Sequence, residues 1–126
     1  MTDKVKDLLE VTDRVLLDIK YTSDEMYKEH VGCSINSPLN FLDYLNQKNI
    51  PTTLRQVIIP SLNDTKENIL SLKEIAQAHA CVDKVELLPF RKICQVKYDK
   101  LGIEFPFGNL PEPSRQKMAE LEELIK

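Results

Sequence analysis

The chain has 126 residues, of which 42% are hydrophobic and 29% charged, and its formal net charge is −3. This length and composition are typical of one globular domain with a core of its own. An acidic balance without a basic stripe argues against nucleic acid as a partner, and no apolar run has the length of a membrane span. The odd number of widely spaced cysteines predicts reduced thiols and a cytoplasmic location rather than a disulfide framework.

The first half of the chain predicts one strand and three helices. The opening M-T-D-K-V-K-D-L-L-E has helical spacing and leads straight into a strand over 14–20, R-V-L-L-D-I-K. A chain that opens in this way suggests that an N-terminal half is missing. Ser23 or Asp24 is expected to cap a short helix, and Ser37-Pro38 is expected to open a longer one with Pro38 at its first position.

The second half predicts two further strands and two helices. Residues 52–60 are rich in β-branched side chains and end in proline, and so indicate a strand. A long helix capped by Asp64 or Thr65 follows, with Ile69 and Leu72 on its apolar stripe. The remaining predicted elements are a strand over 83–90, a loop over 91–112 and a terminal helix opened by Pro113-Ser114.

Three strands that alternate with helices predict an α/β fold with a parallel sheet, and residues 1–126 form one unit because no linker or repeat divides them. Ligands in such folds bind beyond the carboxyl ends of the strands. With period-two alternation, one face of the sheet is expected to carry a polar, mixed-charge lining: Asp18, Lys20, Arg55, Lys84 and Glu86. This lining is either the rim of a site for a polar or zwitterionic ligand or a set of structural ion pairs.

Other polar residues give weaker signals. His30 is expected in a loop, and His79 near a helix end, where a cation is common. Cys33, Cys81 and Cys94 have neither close spacing nor histidine neighbours, so we expect idle or buried thiols rather than metal ligands. Glycine-rich phosphate loops are absent from the sequence.

Several segments, in the same order, carry a family resemblance over nearly the whole chain. They are D-R-V-L-L-D-I-K, H-V-G-C-S-I-N-S-P-L-N-F-L-D-Y-L-N-Q-K-N, L-R-Q-V-I-I-P-S-L-N-D, V-E-L-L-P-F and K-Y-D-K-L-G. Together they resemble the C-terminal half of the pyruvate formate-lyase activating enzymes. Those are radical S-adenosylmethionine (SAM) enzymes with a partial (β/α)6 barrel, so the resemblance implies that this chain forms about half of that barrel, three strands with outer helices.

The resemblance also implies the chemistry of the full-length parent. Family members bind a 4Fe-4S cluster, cleave SAM reductively and generate a glycyl radical on a partner, pyruvate formate-lyase or a related glycyl radical enzyme. The cluster motif of the family, C-x-x-x-C-x-x-C, is absent here. We therefore expect a fragment that holds no cluster, has no catalytic residue of its own and is inactive alone.

The family's D-x-K strand end contributes to SAM binding. The resemblance assigns this role to one continuous segment, which consists of Asp18, Ile19, Lys20, Tyr21 and Thr22.

The resemblance adds assignments outside that segment. Arg55 matches a family arginine, and Arg91 stands where the family commonly has a histidine near the SAM adenosine. The Leu16 carbonyl and the Asp18 carboxylate resemble part of a monovalent-cation site. The family's P-G after the middle strand is P-S here, at Ser61.

A different class of function stays open. The chain is compatible with a stand-alone, non-enzymatic half-barrel that binds another protein through its sheet edge. Under either hypothesis the first strand lacks a neighbour on one side, so we expect the chain to self-associate.

Overall fold

The computed structural model describes residues 2–92, 95–104, 108 and 110–126. Its elements in chain order are α1 (Asp3–Glu10), β1 (Val15–Asp18), α2 (Asp24–His30), α3 (Asn36–Gln47), β2 (Thr52–Ile58), α4 (Lys66–Gln77), β3 (Val82–Pro89), α5 (Gln95–Leu101) and α6 (Arg115–Ile125). The α/β class predicted from the sequence is confirmed.

The three strands form one parallel sheet in the order β1-β2-β3. The middle strand β2 is buried along most of its length, whereas β1 and β3 lie at the two edges. Leu17 is opposite Leu54, which in turn is opposite Val85, and all three side chains pack into the main core. This core lies between one face of the sheet and the helices that cover it. Its buried helical members are Tyr27, Leu42, Ile69, Leu72, Met118 and Leu121.

Local cap chemistry sets the starts of four helices. Thr2, Ser23, Thr65 and Ser114 each accept a hydrogen bond from the main-chain N–H three residues further on. The caps expected from the sequence at Ser23 and Thr65 are thereby confirmed.

Three expectations about local structure are corrected. Helix α3 begins at Asn36, so Pro38 is its third residue, where the first turn also needs no N–H donor. Residues 91–112 are not all loop, because α5 occupies Gln95–Leu101. His30 is the last residue of α2, and its ring lies 5.2 Å from the Tyr21 ring.

Ser61 adopts a left-handed backbone conformation, with φ of 72°. Residues with a Cβ pay roughly 1–2 kcal/mol in this region and glycine does not. This gives a physical reason for the glycine that the resemblance places at this position.

Asp24 joins the start of α2 to the segment before α3. Its Oδ1 accepts hydrogen bonds from the Ser34 hydroxyl at 2.7 Å and the Ile35 N–H at 3.0 Å, while Lys28 Nζ lies 3.0 Å from Oδ2. The Ser34 hydroxyl, followed by Lys28 and the Ile35 N–H, lowers the pKa of Asp24 below its ordinary value.

The lowered pKa of Asp24 predicts a specific acid sensitivity. Because the folded chain holds this carboxylate ionised more strongly than the unfolded chain, its stabilising effect is complete above pH of about 4 and disappears as the pH falls through the lowered pKa. Asp24→Asn should reduce stability at pH 7 and flatten the loss of stability below pH of about 4, as measured by urea unfolding at several pH values. Asp7→Asn is the matched control, since the exposed Asp7 side chain on α1 makes no hydrogen bond or ion pair within the described structure. Equal acid profiles for the two variants would contradict the prediction.

Within the described residues, every helix is too short or too polar to cross a lipid bilayer.

Candidate functional site

A row of charged side chains crosses the sheet from Asp18, the last residue of β1, through the middle of β2 to the second half of β3. Asp18 in β1 is opposite Arg55 in β2, and Arg55 is opposite Glu86 in β3. Residues opposite one another in a sheet project from the same face. The three side chains therefore stand on the face away from the main core, as the sequence alternation predicts, and Thr53 and Lys84 form the next row of the same face.

Asp18 is the centre of an ion-pair network. Its Oδ1 lies 3.0 Å from Arg55 Nε, and its Oδ2 lies 3.5 Å from Lys20 Nζ. The exposed fractions of the side chains are 37% for Asp18, 33% for Arg55 and 49% for Lys20, so all three remain accessible to a ligand. The sequence left two interpretations open, structural ion pairs or the rim of a polar site. The two are compatible, because the side chains that form the ion pairs are also accessible. Neither Lys84 nor Glu86 has an ion-pair partner among the described residues, so the charges of these two side chains are not neutralised by ion pairs.

The main chain after Asp18 is held by the protein itself. The Ile19 N–H donates to the Arg55 carbonyl at 2.9 Å, and the Ile19 carbonyl accepts from Gln56 Nε2 at 3.0 Å. The Lys20 N–H donates to the Tyr27 hydroxyl at 3.1 Å, and the Lys20 carbonyl accepts from Asn63 Nδ2 at 3.2 Å. These main-chain groups are occupied, whereas the side chains of Asp18 and Lys20 remain exposed.

Two side chains of this segment, those before and after Lys20 in the chain, are buried. Ile19 is 0% exposed and Tyr21 is 4% exposed, and the Tyr21 ring packs edge-on against the Tyr27 ring at 6.3 Å. Burial raises the pKa of both tyrosine hydroxyls above the ordinary value. The direct SAM contacts predicted for Ile19 and Tyr21 stay predictions, and the structure gives both residues a packing role.

Three buried amides beneath this segment were not identified from the sequence. Gln56, Asn63 and Asn68 are 1%, 2% and 9% exposed, and they bond to one another and to the strand ends. The sequence does hold one signal for Gln56, which stands between Leu54 and Ile58 on the core face of a strand. Polar residues at core positions are uncommon and need partners.

The free edge of β1 presents the Leu16 carbonyl. Val15 and Ile19 donate their N–H groups to carbonyls on the β2 side, so the N–H and C=O groups of Leu16 and Asp18 point away from β2. A monovalent cation at this edge would have to compete with Arg55 and Lys20 for the Asp18 carboxylate, since each oxygen already faces one of these cations. The cation site predicted at Leu16 and Asp18 stays a prediction.

Arg91 does not line the groove that Asp18 and Lys20 line. It lines an open groove of about 750 Å³ together with Pro89, Arg115 and Met118. Met118 belongs to the main core, so this groove lies on the side of the sheet that the helices cover. The contact predicted between Arg91 and an adenosine stays a prediction.

No metal centre is formed by the described residues. None of their histidine, cysteine, aspartate and glutamate side chains come together in a group of three or more. Cys33 is an exposed free thiol and Cys81 a half-buried one, while Cys94 lies outside the described residues. His79 bonds instead to Asp43, with Nε2 at 2.6 Å from Oδ1.

Comparison with curated proteins identifies relatives over nearly the whole chain. It is 31% identical over 122 residues to the pyruvate formate-lyase 1-activating enzyme of Escherichia coli (strain K12), and 35% identical over 121 residues to the pyruvate formate-lyase-activating enzyme of Clostridium pasteurianum. This chain is a relative of the pyruvate formate-lyase-activating enzymes. The resemblance seen in the sequence motifs is thereby confirmed.

The match to the activating enzymes covers 97% of this chain but 50% of the E. coli protein, and 96% against 51% for the C. pasteurianum protein. The chain thus spans about half the length of these curated relatives. No family model matches it.

Solved structures support the same fold. A domain of pyruvate-formate lyase-activating enzyme from Bacteroides vulgatus superposes with a TM-score of 0.78 at 13% identity, covering 99% of this chain and 68% of that one. A radical SAM methyltransferase from Sphaerobacter thermophilus gives 0.64 at 14% identity, with 97% of this chain and 34% of that one covered. At these identities the likeness concerns the fold alone, and it agrees with a partial barrel.

Proposed function

We propose that this chain is the SAM-contacting half of a radical SAM activating enzyme that acts on a glycyl radical enzyme, pyruvate formate-lyase or a relative. The observation that carries the proposal is the accessible Asp18–Arg55–Lys20 network at the carboxyl end of β1, in a chain related to activating enzymes over about half their length. Ligands of parallel α/β folds bind at this end of the sheet.

The chemistry of the donor set fits the polar part of SAM. Lys20 Nζ supplies a positive charge for the SAM carboxylate, and its 3.5 Å separation from Asp18 Oδ2 is long enough for the ammonium to turn toward a ligand. Asp18 supplies an acceptor for hydroxyl groups, and Arg55 Nε holds that carboxylate in place. No role in bond breaking is assigned to a side chain of this chain.

The radical chemistry belongs to the longer parent in this proposal. A 4Fe-4S cluster, when bound there, supplies the electron for SAM cleavage. The cluster ligands would come from the part of the relatives that this chain does not span. The 126-residue chain contributes SAM binding and a surface for the partner enzyme, in the reducing cytoplasm that its free thiols favour.

The test is the dependence of SAM affinity on Lys20. In calorimetric titration of the chain, Lys20→Ala should weaken SAM binding about tenfold or more, the scale of one charge-assisted contact. Lys97→Ala is the matched control, because Lys97 is exposed on α5, away from this strand end.

A second ligand separates the carboxylate contact from general damage to the site. Binding of 5′-deoxyadenosine, which has no carboxylate, should be equally strong in the wild type and in Lys20→Ala. SAM affinity that is unchanged in Lys20→Ala would refute the role of Lys20. Failure of the wild-type chain to bind SAM would refute the proposed function, and would leave the non-enzymatic half-barrel module as the function to pursue.

A further inference from the structure

The buried amides Gln56, Asn63 and Asn68 connect β2 and α4 to the segment that follows Asp18 at the end of β1. Gln56 is in β2, Asn63 follows β2 in the connection to α4, and Asn68 lies in the first turn of α4. Asn68 Nδ2 donates to Gln56 Oε1 at 2.6 Å and to the Asn63 carbonyl at 2.7 Å. The Gln56 and Asn68 side chains therefore bond directly to each other, and Asn63 joins them through its main-chain carbonyl, so the three residues form one connected unit.

This unit holds the segment after β1 at three residues. Gln56 Nε2 donates to the Ile19 carbonyl, Asn63 Nδ2 donates to the Lys20 carbonyl, and the Thr22 hydroxyl donates to Asn68 Oδ1 at 2.8 Å. The same Asn63 is anchored to β2, since its Oδ1 accepts from the Ile59 N–H at 2.7 Å and its Nδ2 donates to the Val57 carbonyl at 2.8 Å. The main chain that carries the Lys20 side chain is thus tied to the middle strand.

Packing alone does not explain the amides. Gln56 is a fully buried polar side chain beside Leu54 and Ile58, where an apolar residue of similar volume would not need partners. All buried side-chain nitrogen and oxygen atoms in the described part of the chain have hydrogen-bond partners, so the network is complete. Complete polar networks in cores fix one arrangement of the groups that they bind, and departures from an apolar core occur preferentially at functional sites.

We propose that Gln56, Asn63 and Asn68 are positioning residues, which fix residues 19–22 so that Lys20 faces the ligand. The ligand part of this inference rests on the proposed SAM-binding function. The set of hydrogen bonds from the three amides to residues 19–22, which we call the clamp, is tested without any ligand. None of the three amides is assigned a contact with SAM.

The test compares Gln56→Met with Ile58→Val. Methionine fills a similar volume without the amide, and Ile58→Val removes one buried methylene from the same face of β2 without touching the network. In Gln56→Met, amide hydrogen exchange of residues 19–22 should be about tenfold faster, and SAM should bind about tenfold more weakly. Ile58→Val should lower the melting temperature to a similar extent without changing either quantity.

The outcomes separate the two proposals. Unchanged exchange at residues 19–22 in Gln56→Met would overturn the clamp, and faster exchange with unchanged SAM affinity would overturn the positioning role. A wild-type chain that does not bind SAM would overturn the proposed function and the ligand part of this inference, while the exchange result would still decide the clamp. If Gln56→Met does not fold, Asn68→Ser takes its place, because Asn68 is the most exposed of the three amides. The expected results are the same.

Discussion

Leu54→Ala is expected to lower the free energy of unfolding by about 2–5 kcal/mol, the range for truncating a fully buried leucine. Leu54 is 0% exposed in the middle strand, and its neighbours in register, Leu17 and Val85, pack against the same core. Small domains are stable by about 5–15 kcal/mol, so this one substitution removes a large share of the total. Urea unfolding at pH 7, followed by circular dichroism, measures the loss.

Leu16→Ala is the matched control for Leu54. The two leucines are in adjacent strands, but Leu16 is 56% exposed on the opposite face of the sheet. Truncating an exposed side chain removes little buried apolar area, so the control should lose well under half as much stability. Equal losses for the two variants would mean that the helix-covered face is not the main core.

The strands and most helix starts are predictable because their signals are local. Alternation and β-branched composition identify 52–60 and 83–90, and capping hydroxyls at Ser23 and Thr65 accept the hydrogen bonds that their positions predict. Helix α5 was missed for a physical reason. None of its residues is fully buried, and Val96 and Leu101 are largely exposed, so its sequence carries only a weak apolar stripe.

The candidate site is predictable in part. Period-two alternation places Asp18 and Arg55 on one face, but it does not reveal that they are directly opposite each other, because register depends on how the strands pair. The hydrogen bonds of Asn63 and Asn68 could not be predicted from local patterns. Asn63 bonds to Lys20, which is 43 residues away in the chain, and Asn68 bonds to Thr22, which is 46 residues away. Contacts of that kind follow from the tertiary fold and not from a local pattern.

The free edge of β1 is the feature from which we expect self-association of the purified chain. Among the described residues no strand pairs with the outer side of β1, and the N–H and C=O groups of Leu16 and Asp18 point away from β2. An open groove of about 460 Å³ lies beside this edge, with apolar side chains of Val5, Val31 and Phe41 among its lining. Unpaired strand edges with apolar surroundings are templates for pairing with another strand.

We therefore expect a dimer, or larger species, in sedimentation velocity of the wild-type chain at micromolar concentrations. Leu16→Lys should shift the population toward monomer, because a lysine on an edge strand opposes strand addition, both by its charge and by the cost of desolvating it. Leu101→Lys is the control, since Leu101 is 71% exposed on α5, which follows the opposite edge strand β3. A wild-type chain that sediments as a monomer across this range would show that β1 does not offer a pairing edge in solution. Equal shifts in the two lysine variants would instead assign the association to general surface hydrophobicity.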